Sequence, residues 1–231
     1  MAEMSELLIA VPSYGRPYEI EKHTGFWLKD LTRYDHKVFI EPRERIYYNQ
    51  TVPKESIVTT DNNIGLKGQI KRIGEYAREH GYKYVMKCDD DMWFLKKGVS
   101  KTRTAETLET ALDEIVSEFR SNDNLGGVSI TKAAGYMRNT KGETWVYKKS
   151  KPFYSNSISR TELFDVPDAA DIFIDLCLSL ECVTKGYETR TYAKIYESCI
   201  TFTNKGGFQT TDRDALSRMV YGNLRSVYPK I

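Results

Sequence analysis

Apolar residues in the first half of the chain come in short runs, each cut off by polar or turn-forming residues. Leu7–Val11 is wholly apolar and closed by Pro12, which predicts a buried strand. Lys37–Ile40, ended by Glu41-Pro42, and Ser56–Thr60, ended by Asp61-Asn62-Asn63, predict two more. Tyr82–Cys88 predicts a fourth strand, running into Asp89-Asp90-Asp91, and Gly127–Ile130 a fifth. Between these runs the period lengthens. Residues 18–32 have mixed helical periodicity. Leu66–His80 repeats Ile70, Ile73, Gly74 and Ala77 at helical spacing and stops at Gly81. Thr104–Phe119 gathers Leu108, Leu112, Ile115, Val116 and Phe119 on one face. Short strands alternating with helices predict an α/β fold, a mixed but mostly parallel sheet flanked by helices. After residue 131 the pattern loosens. Residues 132–151 read as a long loop or hairpin, Ser155–Arg160 as a strand and Ala169–Lys185 as a helix closed by Gly186. Glu197–Thr203 reads as a last strand, and Thr211–Leu224 as a final helix capped by Thr211 or Asp212.

In a parallel sheet the residues that follow the strands collect along one edge, where ligands bind. Ser13-Tyr14-Gly15-Arg16, Glu41, Asp61-Asn62-Asn63 and Asp89-Asp90-Asp91 all fall there. The triplet is the most informative group. Three adjacent carboxylates repel one another, and hard divalent cations prefer carboxylate oxygens. In an extended backbone Asp89 and Asp91 point one way and Asp90 the other. The triplet alone fits a solvated acidic turn equally well. In Ser13–Arg16, Gly15 permits a close backbone approach, Arg16 can pair with a phosphate and Tyr14 can stack on a base. Asn63–Gln69 opens a helix and offers amide donors to an anion. Neither segment is a Walker A loop or a GxGxxG turn.

Composition narrows this picture. At 231 residues, a single domain is expected. No run of 18 apolar residues occurs, and Met1–Glu6 lacks the basic start of a signal peptide, so a cytoplasmic protein without a membrane partner is expected. The cysteines, Cys88, Cys177, Cys182 and Cys199, form no CxxC pair and read as free, buried thiols. With three histidines the chain has little from which to build a His-based metal site or a Ser-His-Asp triad. Net charge is +2, but its distribution is uneven. Lys132, Arg138, Lys141, Lys148, Lys149 and Lys151 face a single acid, Glu143, and are interleaved with Tyr136, Trp145, Tyr147, Phe153 and Tyr154. That mixture suits a phosphate-bearing acceptor, and equally a solvated loop with ordinary lysines.

Three segments together resemble the nucleotide-sugar half of a GT-A glycosyltransferase: the strand into Pro12-Ser13-Tyr14-Gly15-Arg16-Pro17, the turn Asn63-Ile64-Gly65-Leu66-Lys67-Gly68-Gln69, and Val85-Met86-Lys87-Cys88-Asp89-Asp90-Asp91. The triplet would be the DxD motif of that family. Asp171–Leu180, followed by Lys185-Gly186-Tyr187, is similar to its acidic helix. More narrowly, the chain resembles phage glycosyltransferases associated with TET-type dioxygenases, which act on 5-hydroxymethylpyrimidines in DNA. The resemblance implies a Rossmann-like GT-A domain with a nucleotide-sugar-binding half, 1–131, and an acceptor-binding half, 132–231. It implies Mn²⁺ or Mg²⁺ held by Asp89 and Asp91, with Asn204 where many relatives have a histidine. Pro12, Ser13, Tyr14, Arg16, Glu41 and Asn63 would surround the nucleoside. Lys67, Gly68 and Gln69 would lie at the ribose or diphosphate, Asp90 near the sugar and Lys205 at the leaving group. The base would be Asp171, with Asp175 next, although the family's acidic pair is not matched residue for residue, because Phe173 occupies one of its positions. Lys132, Arg138, Trp145 and Tyr154 would meet a DNA acceptor. The same residues leave other readings open: a glycan, lipid or protein acceptor, a metal-dependent nuclease or nucleotidyltransferase, or a non-catalytic nucleotide-binding module.

Overall fold

The computed structural model describes residues 5–133, 142–147, 157–166, 174–199, 218 and 222–229. Among the described residues nine strands form one continuous sheet: β1 (Leu7–Pro12), β2 (Asp35–Ile40), β3 (Ile57–Thr59), β4 (Tyr84–Lys87), β5 (Met92–Leu95), β6 (Leu125–Lys132), β7 (Trp145–Tyr147), β8 (Ser157–Arg160) and β9 (Glu188–Cys199). The order is β3-β2-β1-β4-β8-β6-β9-β5, with β7 on the side of β9. Strands β1, β2, β3, β4, β6 and β9 run one way, and β5, β7 and β8 the other. The helices are α1 (Pro17–Lys22), α2 (Thr24–Leu28), α3 (Arg45–Tyr48), α4 (Gly65–Glu79), α5 (Thr104–Ser121) and α6 (Ile174–Thr184).

Strand alternation builds a core on each face. Leu7, Ile9 and Val11 of β1 point to one side, where they meet Ile20, Trp27, Tyr48 and the apolar stripe of α5, Leu108, Leu112, Ile115 and Phe119. Leu8 and Ala10 point to the other, against Ile70, Ile73 and Ala77 of α4 and Cys177, Leu178 and Cys182 of α6. Gly74 lets α4 approach closely, because a Cβ there would lie 2.6 Å from Cβ of Phe164. Of the helices named, α1, α2, α3 and α5 thus belong with the first core and α4 and α6 with the second, where Leu224 and Tyr228 also pack.

The first-half strands and long helices match the expected ones to within a few residues. Three differences carry physical reasons. The chain turns back after the acidic triplet as β5, paired antiparallel with β9. The loop-like 132–151 segment contributes β7. Strand β9 begins at Glu188 rather than Glu197, because its early residues alternate buried Thr189 and Thr191 with Arg190 and Lys194, which reach Glu118 and Glu114 of α5. The two halves of the chain also interleave, since β8 lies between β4 and β6. Cys88, Cys177 and Cys182 are buried free thiols, whereas Cys199 is exposed. No helix among the described residues is long and apolar enough to cross a membrane.

Candidate active site

The order β3-β2-β1-β4 reverses direction between β1 and β4, where the crossovers leave a crevice at the strand ends. The β1 loop and the acidic triplet both open there. Strand β4 ends at Lys87, and Asp90-Asp91 form a turn rather than further strand. Buried Thr24 holds that turn at both ends: its hydroxyl donates to the Asp89 carbonyl and accepts the Met92 N–H, each at 2.8 Å. The indole of Trp27 also donates to the Met92 carbonyl, at 2.8 Å.

The three carboxylates have different surroundings. Asp90 is 5% exposed and turns into the protein, accepting from Ser13 Oγ at 2.6 Å and from Arg16 Nη1 at 2.8 Å. Burial raises its carboxyl above the ordinary range, against the pull of Arg16. Asp91 lies 3.7 Å from the same guanidinium, and burial together with the charges of Asp90 and Asp89 pushes it up to about 6. Asp89 is more exposed and accepts from Lys87 Nζ at 2.9 Å.

Lys87 is a feature the sequence pattern does not single out. It is 4% exposed and also reaches Asp175 of α6, at 3.3 Å. Burial works against its charge, but Asp175 and Asp89 outweigh it and hold the ammonium above the usual lysine range. Burial pushes the Asp175 carboxyl up while Lys87 pulls it down. One cation therefore ties the acidic turn to the acidic helix.

The other residues that the sequence reading assigned to the nucleotide form a connected rim. Pro12 is buried at the end of β1. Tyr48 shares the Ser13 hydroxyl at 2.6 Å and accepts the Arg16 N–H at 3.2 Å. Gly15, at φ +67°, donates its N–H to Glu44 at 2.5 Å, a backbone conformation that favours glycine. Exposed Tyr14 accepts from Arg43 at 2.8 Å. Glu41 is buried, accepts the Asn63 N–H at 2.9 Å and pairs with Arg43 at 2.8 Å. Asn63 has φ +59°, which asparagine tolerates better than most side chains. Lys67 and Gly68 are partly exposed in the first turn of α4, and buried Gln69 donates to the Ser13 carbonyl at 3.2 Å.

Of the residues expected to meet an acceptor, Lys132 is half exposed and lies 3.9 Å from Glu197, a buried acid of β9 that sequence reading passed over. Trp145 packs edge-on against Tyr192, with centroids 5.1 Å apart. Arg138, Tyr154, Asp171, Asn204 and Lys205 lie outside the described residues. Among those described, no group of three or more His, Cys, Asp or Glu side chains is arranged to hold a metal. Asp89 and Asp91 supply two carboxylates, and the donor set is all oxygen, as a hard cation requires.

No protein-family model matches the chain, and no curated protein matches it. Solved structures do. Glucosyl-3-phosphoglycerate synthase from Mycobacterium tuberculosis, in complex with phosphoglyceric acid, superposes with a TM-score of 0.63 at 13% identity, covering 97% of this chain and 80% of that one. The same enzyme with Mn²⁺, uridine diphosphate and phosphoglyceric acid gives 0.59 at 12% identity, covering 97% and 78%. CMP:2-keto-3-deoxy-manno-octonic acid synthetase complexed with CTP gives 0.51 at 12% identity, covering 81% and 89%. At such identities the likeness is one of fold. The chain has the α/β fold of these nucleotide-sugar enzymes, in agreement with the GT-A-type class read from its sequence.

Proposed function

We propose that the chain is a metal-dependent glycosyltransferase that takes its sugar from a nucleotide sugar, with a uridine diphosphate sugar as the favoured donor. The observation that carries this reading is the placement of Asp89 and Asp91 at the crevice between β1 and β4, beside the Ser13–Arg16 loop. Burial, with the charges of Asp90 and Asp89, raises the Asp91 carboxyl, and a divalent cation would offset that penalty. Asp89 and Asp91 would hold Mn²⁺ or Mg²⁺, which when bound acts as a Lewis acid on the diphosphate leaving group. The likeness to a synthase crystallised with Mn²⁺ and uridine diphosphate supports this choice of metal and donor.

The protein's own groups divide the remaining work. The Ser13–Arg16 loop, with Glu41 and Asn63, shapes the nucleoside side. Lys87 fixes Asp89 and Asp175 relative to each other. Asp175 is the base candidate within the described residues, and a base must come within hydrogen-bond distance of the acceptor hydroxyl. Asp171 remains the other candidate. Asn204 and Lys205 would complete the metal and leaving-group contacts, and residues 132–231 would form the acceptor half.

The narrower reading gives the acceptor as the hydroxyl of a 5-hydroxymethylpyrimidine in phage DNA, with 5-hydroxymethylcytosine favoured. Its support is the basic and aromatic sequence of residues 132–154 together with the family resemblance. Nucleotidyl transfer is a second reading, favoured by the fold shared with a CTP-binding synthetase. One assay separates them. The protein, Mn²⁺, a panel of nucleotide sugars or nucleoside triphosphates, and duplex DNA with or without 5-hydroxymethylcytosine are incubated, and products are identified by mass. Nucleoside diphosphate release with a hexose mass gain on the modified base is expected. Pyrophosphate release would replace glycosyl by nucleotidyl transfer. Diphosphate release that ignores DNA would overturn the acceptor alone.

A further inference from the structure

Of the groups that the proposed chemistry leaves without a task, His23 is the most tightly placed. It is the residue at which α1 ends and α2 begins, and both helices fix it. Its N–H donates to the Ile20 carbonyl at 3.3 Å, and its carbonyl accepts from the Phe26 N–H at 3.1 Å. The ring is buried and meets two partners. Nδ1 lies 3.3 Å from the indole nitrogen of Trp93, with the rings edge to face and their centroids 6.3 Å apart. Nε2 lies 3.6 Å from Glu19. An indole N–H only donates, so Nδ1 carries the lone pair and Nε2 the proton, turned toward Glu19.

This bond joins the same two stretches of chain that Thr24 joins. Thr24 grips the Asp89 carbonyl and the Met92 N–H, while His23, one residue earlier, grips Trp93, one residue later. The acidic turn is thus closed by consecutive cross-links from one helix junction. The second link differs from the first because a proton can break it. Protonated His23 would set an N–H against the indole N–H inside the protein, exchanging a hydrogen bond for two unpaired donors. Burial works hardest against that charge, Glu19 favours it, and Lys101 and Lys22 oppose it, so the imidazole is held below its ordinary 6.5. Phe26 packs on the indole at 5.6 Å and Lys101 at 5.2 Å, and in a close-packed setting a repelled indole displaces the strand end that carries it.

We propose that neutral His23, acting through Trp93, is a positioning residue for the acidic turn, and that its protonation loosens the turn. The latch stands on its own geometry, and its consequence for metal-dependent transfer rests on the transferase reading.

The test follows the full chain by NMR from about pH 8 to about pH 5, in an Asp91→Asn background because that carboxyl titrates in the same range. The His23 ring is expected to carry its proton on Nε2 at the upper end. A single titration below 6.5 should then be shared by that ring, the Trp93 indole N–H and the amides of Asp89 and Met92. His23→Asn sets an amide oxygen near the place of Nδ1 and accepts from the indole at every pH, so it should abolish the shared titration. Trp93→Phe keeps an aromatic ring and removes the donor, and should move the His23 titration up toward 6.5. For transfer, His23→Ala should lower kcat for nucleoside diphosphate release about tenfold near neutral pH, with His23→Asn restoring most of it. A proton on Nδ1, turn amides that ignore His23, a titration that His23→Asn leaves in place, or equal kcat in wild type and His23→Ala overturns the proposal. If the NMR pattern holds and wild type releases no nucleoside diphosphate from any nucleotide sugar, the transferase reading falls and the latch stands.

Discussion

Asp89 and Asp90 are neighbours in sequence, yet the structure treats them as different kinds of residue. Asp90 is inside, with its two oxygens taken by Ser13 and Arg16. Asp89 is at the rim, with side-chain exposure of 37% and a buried lysine behind it. The contrast teaches that a run of like charges need not act as a unit. One acid supports the loop that faces it, while Asp89 turns to a different cation, Lys87. The cations differ too. Arg16 belongs to the β1 loop and spans Asp90 and Asp91, whereas Lys87 is embedded in the sheet and spans Asp89 and Asp175.

The largest expected effect comes from removing the inner acid. Asp90→Ala leaves Arg16 largely buried without its main partner, which should destabilise the fold by about 3–5 kcal/mol in urea unfolding. A loss below ~1 kcal/mol would show that Asp90 is no more structural than Asp89. Lys87→Met leaves Asp89 and Asp175 facing each other across an apolar side chain. We expect turnover to fall by roughly 10–100-fold through kcat, with Lys87→Arg restoring part of it, as outer groups that orient first ligands do. Equal turnover in wild type and Lys87→Met would remove Lys87 from the positioning role.

Asp91 sharpens the comparison through pH. Its carboxyl lies at about 6 in the folded chain against an ordinary value of 3.8, so the folded state binds the proton more tightly. Metal-free protein should therefore lose stability as pH rises from about 4 to above 6, and Asp91→Asn should recover it. The gain at pH 7 should be about 1–3 kcal/mol and should vanish below about pH 4. A gain that persists at low pH would point to packing instead of charge. The smallest stability effect belongs to Asp89→Ala, expected within ~1 kcal/mol of wild type because the group is more than a third exposed.

The first half of the fold was legible because its strands are unbroken apolar runs and its helices carry clear stripes. The second half was less so. Strand β9 hides its period behind threonines, Arg190 and Lys194, whose partners lie on α5 some 70 or 80 residues earlier in the chain. In the site, the triplet announced itself by its own improbability. Lys87 did not, because a lysine at a strand end ordinarily reads as solvated and its Asp175 partner is 88 residues away.

The central claim is that the outer acids, and not the inner one, carry metal-dependent nucleotide-sugar chemistry. Its most direct test is the rate of nucleoside diphosphate release across a Mn²⁺ titration, for wild type, Asp89→Ala and Asp91→Ala, with unfolding midpoints measured alongside. Saturable Mn²⁺ dependence in wild type, with a loss on the order of 100-fold in either variant at intact fold, is the predicted result. Release that both variants retain, or that ignores Mn²⁺ in wild type, would contradict it.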